Sequence, residues 1–215
     1  MILTHGANSI RASLPIDPIP LNGTLTHQWN FNGQKNWLVD SVNRATISAA
    51  TTPQIGSAFG FLDITYTRGV MLNVEVKVND YIEAIFYLED GVPSDHMRLI
   101  NKTSSQNIDD TSSFFIWRGS GFYYWASYFG GWYTSISNDY YGVIGKKLGL
   151  FLKSGGYMDV FLDGIRIAYN FQNNWDSIYT NKKYYALGVT TTNWTTPFQI
   201  ECQRVRIFRN CSYPV

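Results

Sequence analysis

The stretch from Phe114 to Tyr141 is dense in aromatic residues, and these residue types make it the strongest candidate in the chain for binding a ligand or a partner. In an extended strand, successive side chains alternate between two faces. Tyr123 and Trp125 would then share one face, and Phe122 and Tyr124 would share the other. One set can enter a core, so the other set needs a different cover. That cover is a sugar ring, another subunit or solvent.

Aromatic faces bind the C–H side of sugars, while amide, carboxylate and guanidinium groups satisfy the sugar hydroxyls. The candidates for binding a carbohydrate or a protein partner combine rings of this stretch with residues of nearby and later loops: Trp117, Arg118, Tyr123, Trp125, Trp132, Tyr133, Asn138, Asp139, Trp175, Asp176 and Trp194. The alternative for the same rings is packing inside a core or a subunit interface. Both alternatives stay open at the level of sequence.

Catalysis by a glycosidase needs two carboxylates roughly 5 to 9 Å apart on either side of the scissile bond. On one strand, this spacing corresponds to acidic residues two positions apart. Asp159 and Asp163 are four positions apart, and the adjacent pair Asp109 and Asp110 would face opposite sides of a strand. The sequence therefore predicts a protein that is not an enzyme, with no catalytic residues.

Metal binding has one weak set of candidates. The three histidines are scattered through the chain without cysteine partners, which disfavours a zinc site. Calcium prefers oxygen ligands from loops, and four acidic residues in predicted loops could converge on one ion: Asp90, Asp95, Asp109 and Asp110. Hydrated surface carboxylates are the alternative for these four, and no other cofactor is predicted.

Composition narrows the class of protein. The chain has 215 residues, a formal charge of +1, 15% charged residues and 16% aromatic residues. This length suits one globular domain, and the aromatic content favours strands. Near-neutral charge gives no electrostatic basis for binding nucleic acid. No apolar run approaches the roughly 20 residues of a membrane span, and no secretory signal is recognised.

Alternation of apolar and polar residues with period two predicts an all-β fold of ten or more short strands. The clearest segment is a three-stranded meander from Lys147 to Tyr169, in which Asp163 and Gly164 form a tight hairpin turn. The other predicted strands include Thr26 to Phe31, Phe59 to Tyr66, Val70 to Val76, Tyr81 to Leu88, Met97 to Ile100, Phe114 to Trp117, Phe122 to Tyr128, Tyr184 to Val189 and Gln199 to Phe208.

The N-terminal segment predicts an extended arm. Pro15, Pro18 and Pro20 favour extended backbone and remove amide donors, so residues 1–22 are assigned to an arm and residues 23–215 to the folded domain. The arm either frays or docks on a neighbouring protein.

Cys202 and Cys211 would lie too far apart on one strand to form a disulfide.

Four segments of the chain match successive strands of one family of β-sandwich domains. His27 to Gly33 matches the opening strand, Gly56 to Phe61 the strand that follows, Met158 to Gly164 the penultimate hairpin, and Cys202 to Phe208 the closing strand. Together these motifs resemble the concanavalin A-like and laminin-G-like jelly-roll domains. The resemblance implies a two-sheet antiparallel sandwich of the lectin and glucanase type, with Cys202 at a buried position.

A lectin-like body with an extended arm is also similar in style to bacteriophage virion surface proteins. The sequence therefore predicts a phage decoration, head-fibre or tail receptor-binding protein, made in the host cytoplasm and located in the virion. Its predicted partners are a glycan or host surface, other virion proteins through residues 1–22, and copies of itself, with a trimer by analogy. The alternatives are a stand-alone carbohydrate-binding module and a polysaccharide-acting glycoside hydrolase.

Overall fold

The computed structural model of this protein describes residues 22–65, 67–88, 97–108, 112–117, 121–126, 132–137, 145–172, 183–190 and 199–214. At residues 88, 97–98, 112–117, 121–126, 132–137 and 171–172 it describes the backbone. The strands in chain order are β1 (Asn22–Asn30), β2 (Ser48–Ala49), β3 (Leu62–Asp63), β4 (Val70–Glu75), β5 (Tyr81–Leu88), β6 (Met97–Thr103), β7 (Ser112–Trp117), β8 (Gly121–Ala126), β9 (Trp132–Ser137), β10 (Lys147–Lys153), β11 (Tyr157–Leu162), β12 (Ile165–Gln172), β13 (Tyr184–Leu187) and β14 (Ile200–Ser212).

These strands form two antiparallel sheets. The first sheet has the strand order β1-β14-β5-β10-β11-β12, and β3 pairs with β14 beside it. The second sheet has the order β2-β4-β13-β6-β7-β8-β9. Each of these pairings is antiparallel. The predicted all-β, two-sheet jelly-roll sandwich is confirmed.

The predicted meander is also confirmed, as β10, β11 and β12. A 3-10 turn at Ser154–Gly156 joins β10 to β11. Asp163 and Gly164 join β11 to β12 with φ angles of 51° and 84°, as the tight hairpin turn requires. Ile165 is the first residue of β12, directly after this turn, and it is 45% exposed.

The hydrophobic core lies between the two sheets. It contains alternate residues of the central strands, such as Leu148 and Leu150 of β10 and Val205 and Ile207 of β14. Trp29 of β1 is completely buried in the same cluster. Full burial of each large apolar side chain contributes roughly 1.5 to 3 kcal/mol, so alternation along these strands supplies the main stabilising term.

A smaller cluster covers part of the outer face of the first sheet. Tyr81, Phe151, Phe161 and Cys211 are buried in it, and the rings of Tyr81 and Phe161 meet edge to face at 5.6 Å. Gly149 is required beneath the Tyr81 ring, because a Cβ atom at position 149 would lie 2.0 Å from the Tyr81 hydroxyl oxygen. Burial raises the pKa of the Tyr81 hydroxyl, which keeps it neutral.

The predicted strand from Phe59 to Tyr66 was too long, because only Leu62–Asp63 is a strand within its described part. The buried carboxylate of Glu201 accepts hydrogen bonds from the backbone amides of Ala58, Phe59 and Phe61. Backbone amides that donate to one carboxylate cannot also form the regular hydrogen bonds between neighbouring strands of a sheet. The backbone before Leu62 is therefore a tight loop, and not a strand.

Both cysteines lie on β14 as predicted, and both are buried and free. Burial raises the pKa of the Cys202 thiol, and it raises the pKa of the Cys211 thiol to about 11. Thiols with raised pKa values are poor nucleophiles at neutral pH. The expected inert role of Cys202 agrees with this burial.

The predicted arm falls almost wholly outside the described residues, which begin at Asn22 with β1. The assignment of residues 1–22 to an arm thus stays a prediction. In the part of the chain that the structure describes, no helix has the length and apolarity needed to cross a membrane.

Candidate functional site

Four of the predicted binding residues occupy one face of the second sheet. On β7, β8 and β9, Ser113 lies opposite Trp125, and Trp125 lies opposite Tyr133. One row along, Tyr123 is in register with Phe115 and Ser135. Positions in register on neighbouring strands share a face, and Trp117 belongs to the same face by alternation along β7.

This face is the one turned away from the core. Phe114 is in register with Ile100 of β6, and Ile100 is fully buried in the core between the sheets. The positions of Ser113 and Phe115 therefore lie on the opposite face of the sheet. We call the positions of Phe115, Trp117, Tyr123, Trp125 and Tyr133 the aromatic face.

Trp132 was predicted among the binding residues, but its register separates it from the others. It lies opposite Ala126, which lies opposite Ser112. Because Ser112 alternates with Ser113, the position of Trp132 belongs to the face that carries the core.

The remaining predicted site residues lie outside the described part of the chain, and their roles stay predictions. These are the binding candidates Arg118, Asn138, Asp139, Trp175, Asp176 and Trp194 and the calcium candidates Asp90, Asp95, Asp109 and Asp110. Among the residues that the structure does describe, no group of three or more His, Cys, Asp or Glu side chains could hold a metal ion.

Several acidic side chains are buried, and the contacts of each explain its position. Asp40 accepts hydrogen bonds from the amides of Gln28, Val42 and Asn43, which fixes a turn. Glu83 accepts a hydrogen bond of 3.0 Å from Nε of Arg206. Such contacts hold the backbone and the outer face of the first sheet in place.

Among these buried acids, Asp80 connects several elements of the fold. It accepts hydrogen bonds from the Tyr185 hydroxyl, the Arg209 guanidinium and the Lys77 amide. Burial raises the pKa of Asp80 despite the nearby Arg209, and it also raises the pKa of Tyr185. The contact ties the β4–β5 turn to β13 and to the end of β14.

Sequence reasoning missed a second surface, on the outer face of the first sheet near its β12 edge. Tyr169 of β12 is 58% exposed. The Lys153 ammonium lies 4.4 Å from the centre of its ring, and the Arg166 guanidinium carbon lies 4.5 Å from it. Asp159 is completely buried beside both cations. We call Lys153, Asp159, Arg166 and Tyr169 the Tyr169 patch.

A backbone irregularity builds this patch. The register between β11 and β12 shifts at Asp159, so that Met158 pairs with Phe171 and Val160 pairs with Ala168. Asn170 lies in the bulge with a φ of 48°, and its amide donates a hydrogen bond of 2.7 Å to Asp159. The sequence signal was an aspartate between two buried apolar residues of a strand, flanked on the neighbouring strands by Lys153 and Arg166.

A third group of exposed rings lies at another part of the first sheet. Phe59, which is 38% exposed, lies 5.3 Å from the Tyr87 ring, and Phe61 lies 5.1 Å from it. The carboxylate of Glu201 holds the loop that carries both phenylalanines.

Comparisons with known proteins identify the fold. No protein-family model and no curated protein matches the sequence. The structure is similar to domain 4 of AbnA, an extracellular GH43 arabinanase of Geobacillus stearothermophilus, solved in complex with arabinotriose. The TM-score is 0.58 at 15% sequence identity, over 88% of this chain and 94% of that domain.

The structure is also similar to binding domains of botulinum neurotoxins. For the serotype D ligand-binding domain in complex with N-acetylneuraminic acid, the TM-score is 0.55 at 13% identity, over 86% of this chain and 47% of the other. For type C, whose cell entry depends on two ganglioside molecules, the TM-score is 0.57 at 14% identity, over 85% and 47%. This chain spans about half the length of these toxin structures. At such identities the likeness shows the β-sandwich fold alone.

Proposed function

We propose that this chain is a non-enzymatic carbohydrate-binding domain that holds its ligand on the aromatic face of β7–β9. The observation that carries the proposal is the register of these strands, which collects the positions of Trp117, Tyr123, Trp125 and Tyr133 on one face away from the core. The sequence-based alternatives for these rings were packing in a core or a subunit interface and ligand binding. The register disfavours core packing for these four positions, and of the remaining alternatives we propose ligand binding.

The dimensions of such a face suit a saccharide. Neighbouring strands lie about 4.8 Å apart, and residues on one face of a strand recur at about 6.6 Å. Rings at this spacing offer successive stacking surfaces to the apolar faces of successive sugar rings.

The comparisons support the class of ligand. One similar structure holds arabinotriose, and another holds N-acetylneuraminic acid. Both are saccharides, and the arabinotriose is held by a domain of which 94% matches this fold. The absence of catalysis in the proposal rests on the sequence, in which no two acidic residues stand two positions apart.

The test is glycan binding by matched variants of the full chain. Trp125→Ala is expected to weaken binding by about 2 kcal/mol, or roughly 30-fold, as loss of an aromatic hot spot does. The measurement is a glycan array followed by calorimetry on the best ligand. Tyr157→Ala is the control, because it removes a 40% exposed ring from the other sheet. Equal binding by wild type and Trp125→Ala would refute the proposal, as would a blank array.

Trp132→Ala gives an internal check on the register. Its position belongs to the core-bearing face, so the change is expected to lower the melting temperature more than it weakens glycan binding. Release of reducing ends from any polysaccharide by the wild-type protein would contradict the non-enzymatic part of the proposal.

The setting that we propose for this domain is the surface of a bacteriophage virion, as a homo-oligomer tethered by residues 1–22. Its support is the proline-containing arm and the aromatic-rich β body of the sequence. Deleting residues 1–20 is expected to leave the melting temperature of the domain unchanged while preventing its incorporation into the particle. Incorporation of the truncated chain at wild-type levels would exclude the tether.

A further inference from the structure

The Tyr169 patch combines an exposed ring with fixed positive charge. Tyr169 has the largest exposed fraction among the exposed large hydrophobic side chains of the described residues. Lys153 and Arg166 come from the two strands on either side of β11, and both contact the Tyr169 ring. Both cationic side chains keep contact with solvent, with exposed fractions of 22% and 19%.

The charges of the patch do not cancel. Lys153 and Arg166 contribute two positive charges, and Asp159 contributes one negative charge. The Tyr213 hydroxyl donates a further hydrogen bond to Asp159, so the carboxylate is saturated by donors on all sides. Among the described contacts, one positive charge remains in excess beside the exposed ring.

The cations are held in place before a ligand arrives. Asp159 lies within 3.2 Å of the Lys153 ammonium and 3.7 Å of the Arg166 guanidinium. The Asn170 side chain accepts a hydrogen bond from Lys153, and the Tyr213 ring lies 5.5 Å from the Arg166 guanidinium carbon. Long side chains that are already ordered lose little entropy when they bind an anion.

From this geometry we propose that the Tyr169 patch is a second ligand site, which binds a sugar that carries a carboxylate. The apolar face of the sugar packs on the exposed part of the Tyr169 ring, and its carboxylate accepts hydrogen bonds from Arg166 and Lys153. The inference rests on the proposed function for the class of ligand. The Tyr169 patch lies on the other sheet from the aromatic face, and its preference for a negatively charged sugar is independent of the proposed function.

The test uses the full chain, labelled with ¹⁵N and titrated with two monosaccharide probes. The probes are methyl β-D-glucuronide, which carries a carboxylate, and methyl β-D-glucoside, which is neutral. The acid is expected to shift the amide signals of β12 and to bind at least tenfold more tightly than the neutral sugar. Raising the salt concentration from 0.05 to 0.5 M is expected to weaken the acid several-fold, because exposed ion pairs are screened.

Variants separate the two parts of the site. Tyr169→Ala is expected to lower affinity for the acid at least tenfold, and Tyr169→Phe is expected to retain it. Arg166→Gln is expected to remove the preference for the acid over the neutral sugar. Phe59→Ala is the matched control, because it removes an exposed ring from the loop before β3. Melting curves confirm that each variant is folded.

Equal affinity for both probes would overturn the inference, as would loss of acid binding in Phe59→Ala with full binding in Tyr169→Ala. Acid binding that is abolished by Trp125→Ala and unaffected by Tyr169→Ala would also overturn it, while leaving the proposed function intact. Conversely, a blank glycan array together with shifts of the β12 amide signals by the glucuronide alone would refute ligand binding at the aromatic face. The same result would support ligand binding at the Tyr169 patch.

Discussion

Replacing Asp80 with Ala is expected to lower the free energy of unfolding by about 4 kcal/mol, the range for removing one partner of a buried ion pair. Asp80 is 1% exposed and accepts hydrogen bonds from Tyr185, Arg209 and Lys77. Without the carboxylate, the Arg209 guanidinium and the fully buried Tyr185 hydroxyl lose this shared partner. Urea unfolding followed by tryptophan fluorescence measures the loss.

Two variants calibrate this result. Asp80→Asn keeps an acceptor oxygen for the Tyr185 hydroxyl and the Lys77 amide, so it is expected to cost less than Asp80→Ala. Glu75→Ala removes an exposed acid beside the same turn and is expected to change stability by less than about 0.5 kcal/mol. A loss below about 1 kcal/mol for Asp80→Ala would show that this contact is not a structural link.

The raised pKa of Asp80 fixes the sign of its dependence on pH. Burial raises this pKa above its ordinary value of 3.8, so the folded state binds the proton more tightly than the unfolded chain. The resulting stabilisation is complete below pH 3.8 and is lost as the pH rises through the folded pKa. Protonation of Asp80 therefore does not drive acid unfolding.

The second large effect is expected from Glu201→Ala, which should cost at least about 3 kcal/mol, because the Phe59 and Phe61 amides each lose a hydrogen bond to a charged group that contributes roughly 1.5 to 3 kcal/mol. The carboxylate is completely buried and accepts from three backbone amides of the loop at 58–61. Gly56 packs against it so closely that a Cβ atom would lie 2.1 Å from the carboxyl group. The change therefore removes the acceptor of the Phe59 and Phe61 amides and leaves an empty space beside them, while the Ala58 amide retains Oε1 of Gln199 at 3.0 Å.

The effect should also be local. Amide hydrogen exchange is expected to accelerate at residues 56–61 more than in the core strands, because the loop loses its anchor. Glu201→Gln retains one acceptor oxygen and is expected to lie between wild type and Glu201→Ala. Unchanged exchange at residues 56–61 in Glu201→Ala would show that neighbouring contacts hold the loop without the carboxylate.

Much of the fold could be predicted from the sequence, because its signals are local. Leu148, Leu150 and Leu152 alternate with other residues along β10, and the Asp163–Gly164 dipeptide fixes the hairpin between β11 and β12. The strand β5 was predicted with its observed bounds, Tyr81–Leu88. Each of these depends on neighbouring residues and strand geometry alone.

The errors arose where a distant residue decides the backbone. The loop before Leu62 follows from Glu201, about 140 residues along the chain, which captures amides that would otherwise form a ladder. No local pattern around Phe59 reports that contact. β9 (Trp132–Ser137) was not among the predicted strands, and its pairing with β8 supplied the register that separates Trp132 from Trp125.

The candidate sites also differ in how far they could be predicted from local sequence. Composition and alternation identified Tyr123 and Trp125 as rings that a single core cannot cover, and the register of β7–β9 places them on a common face. The Tyr169 patch was missed because it depends on the bulge opposite Asp159, which shifts the pairing of β12. A bulge of this kind has no simple alternation pattern.

The irregular pairing of β12 has a consequence for how copies of this protein behave when crowded. Among the residues that the structure describes, β12 ends the first sheet, so its outward amides and carbonyls have no described strand beside them in that sheet. Regular, flat edges are templates for strand addition and aggregation, and bulges together with charged side chains oppose it. Two shifts of register and Arg166 lie on this edge strand, and Lys153 of β10 reaches it through its hydrogen bond to Asn170. The edge at β12 is therefore expected to oppose strand addition between copies of the protein.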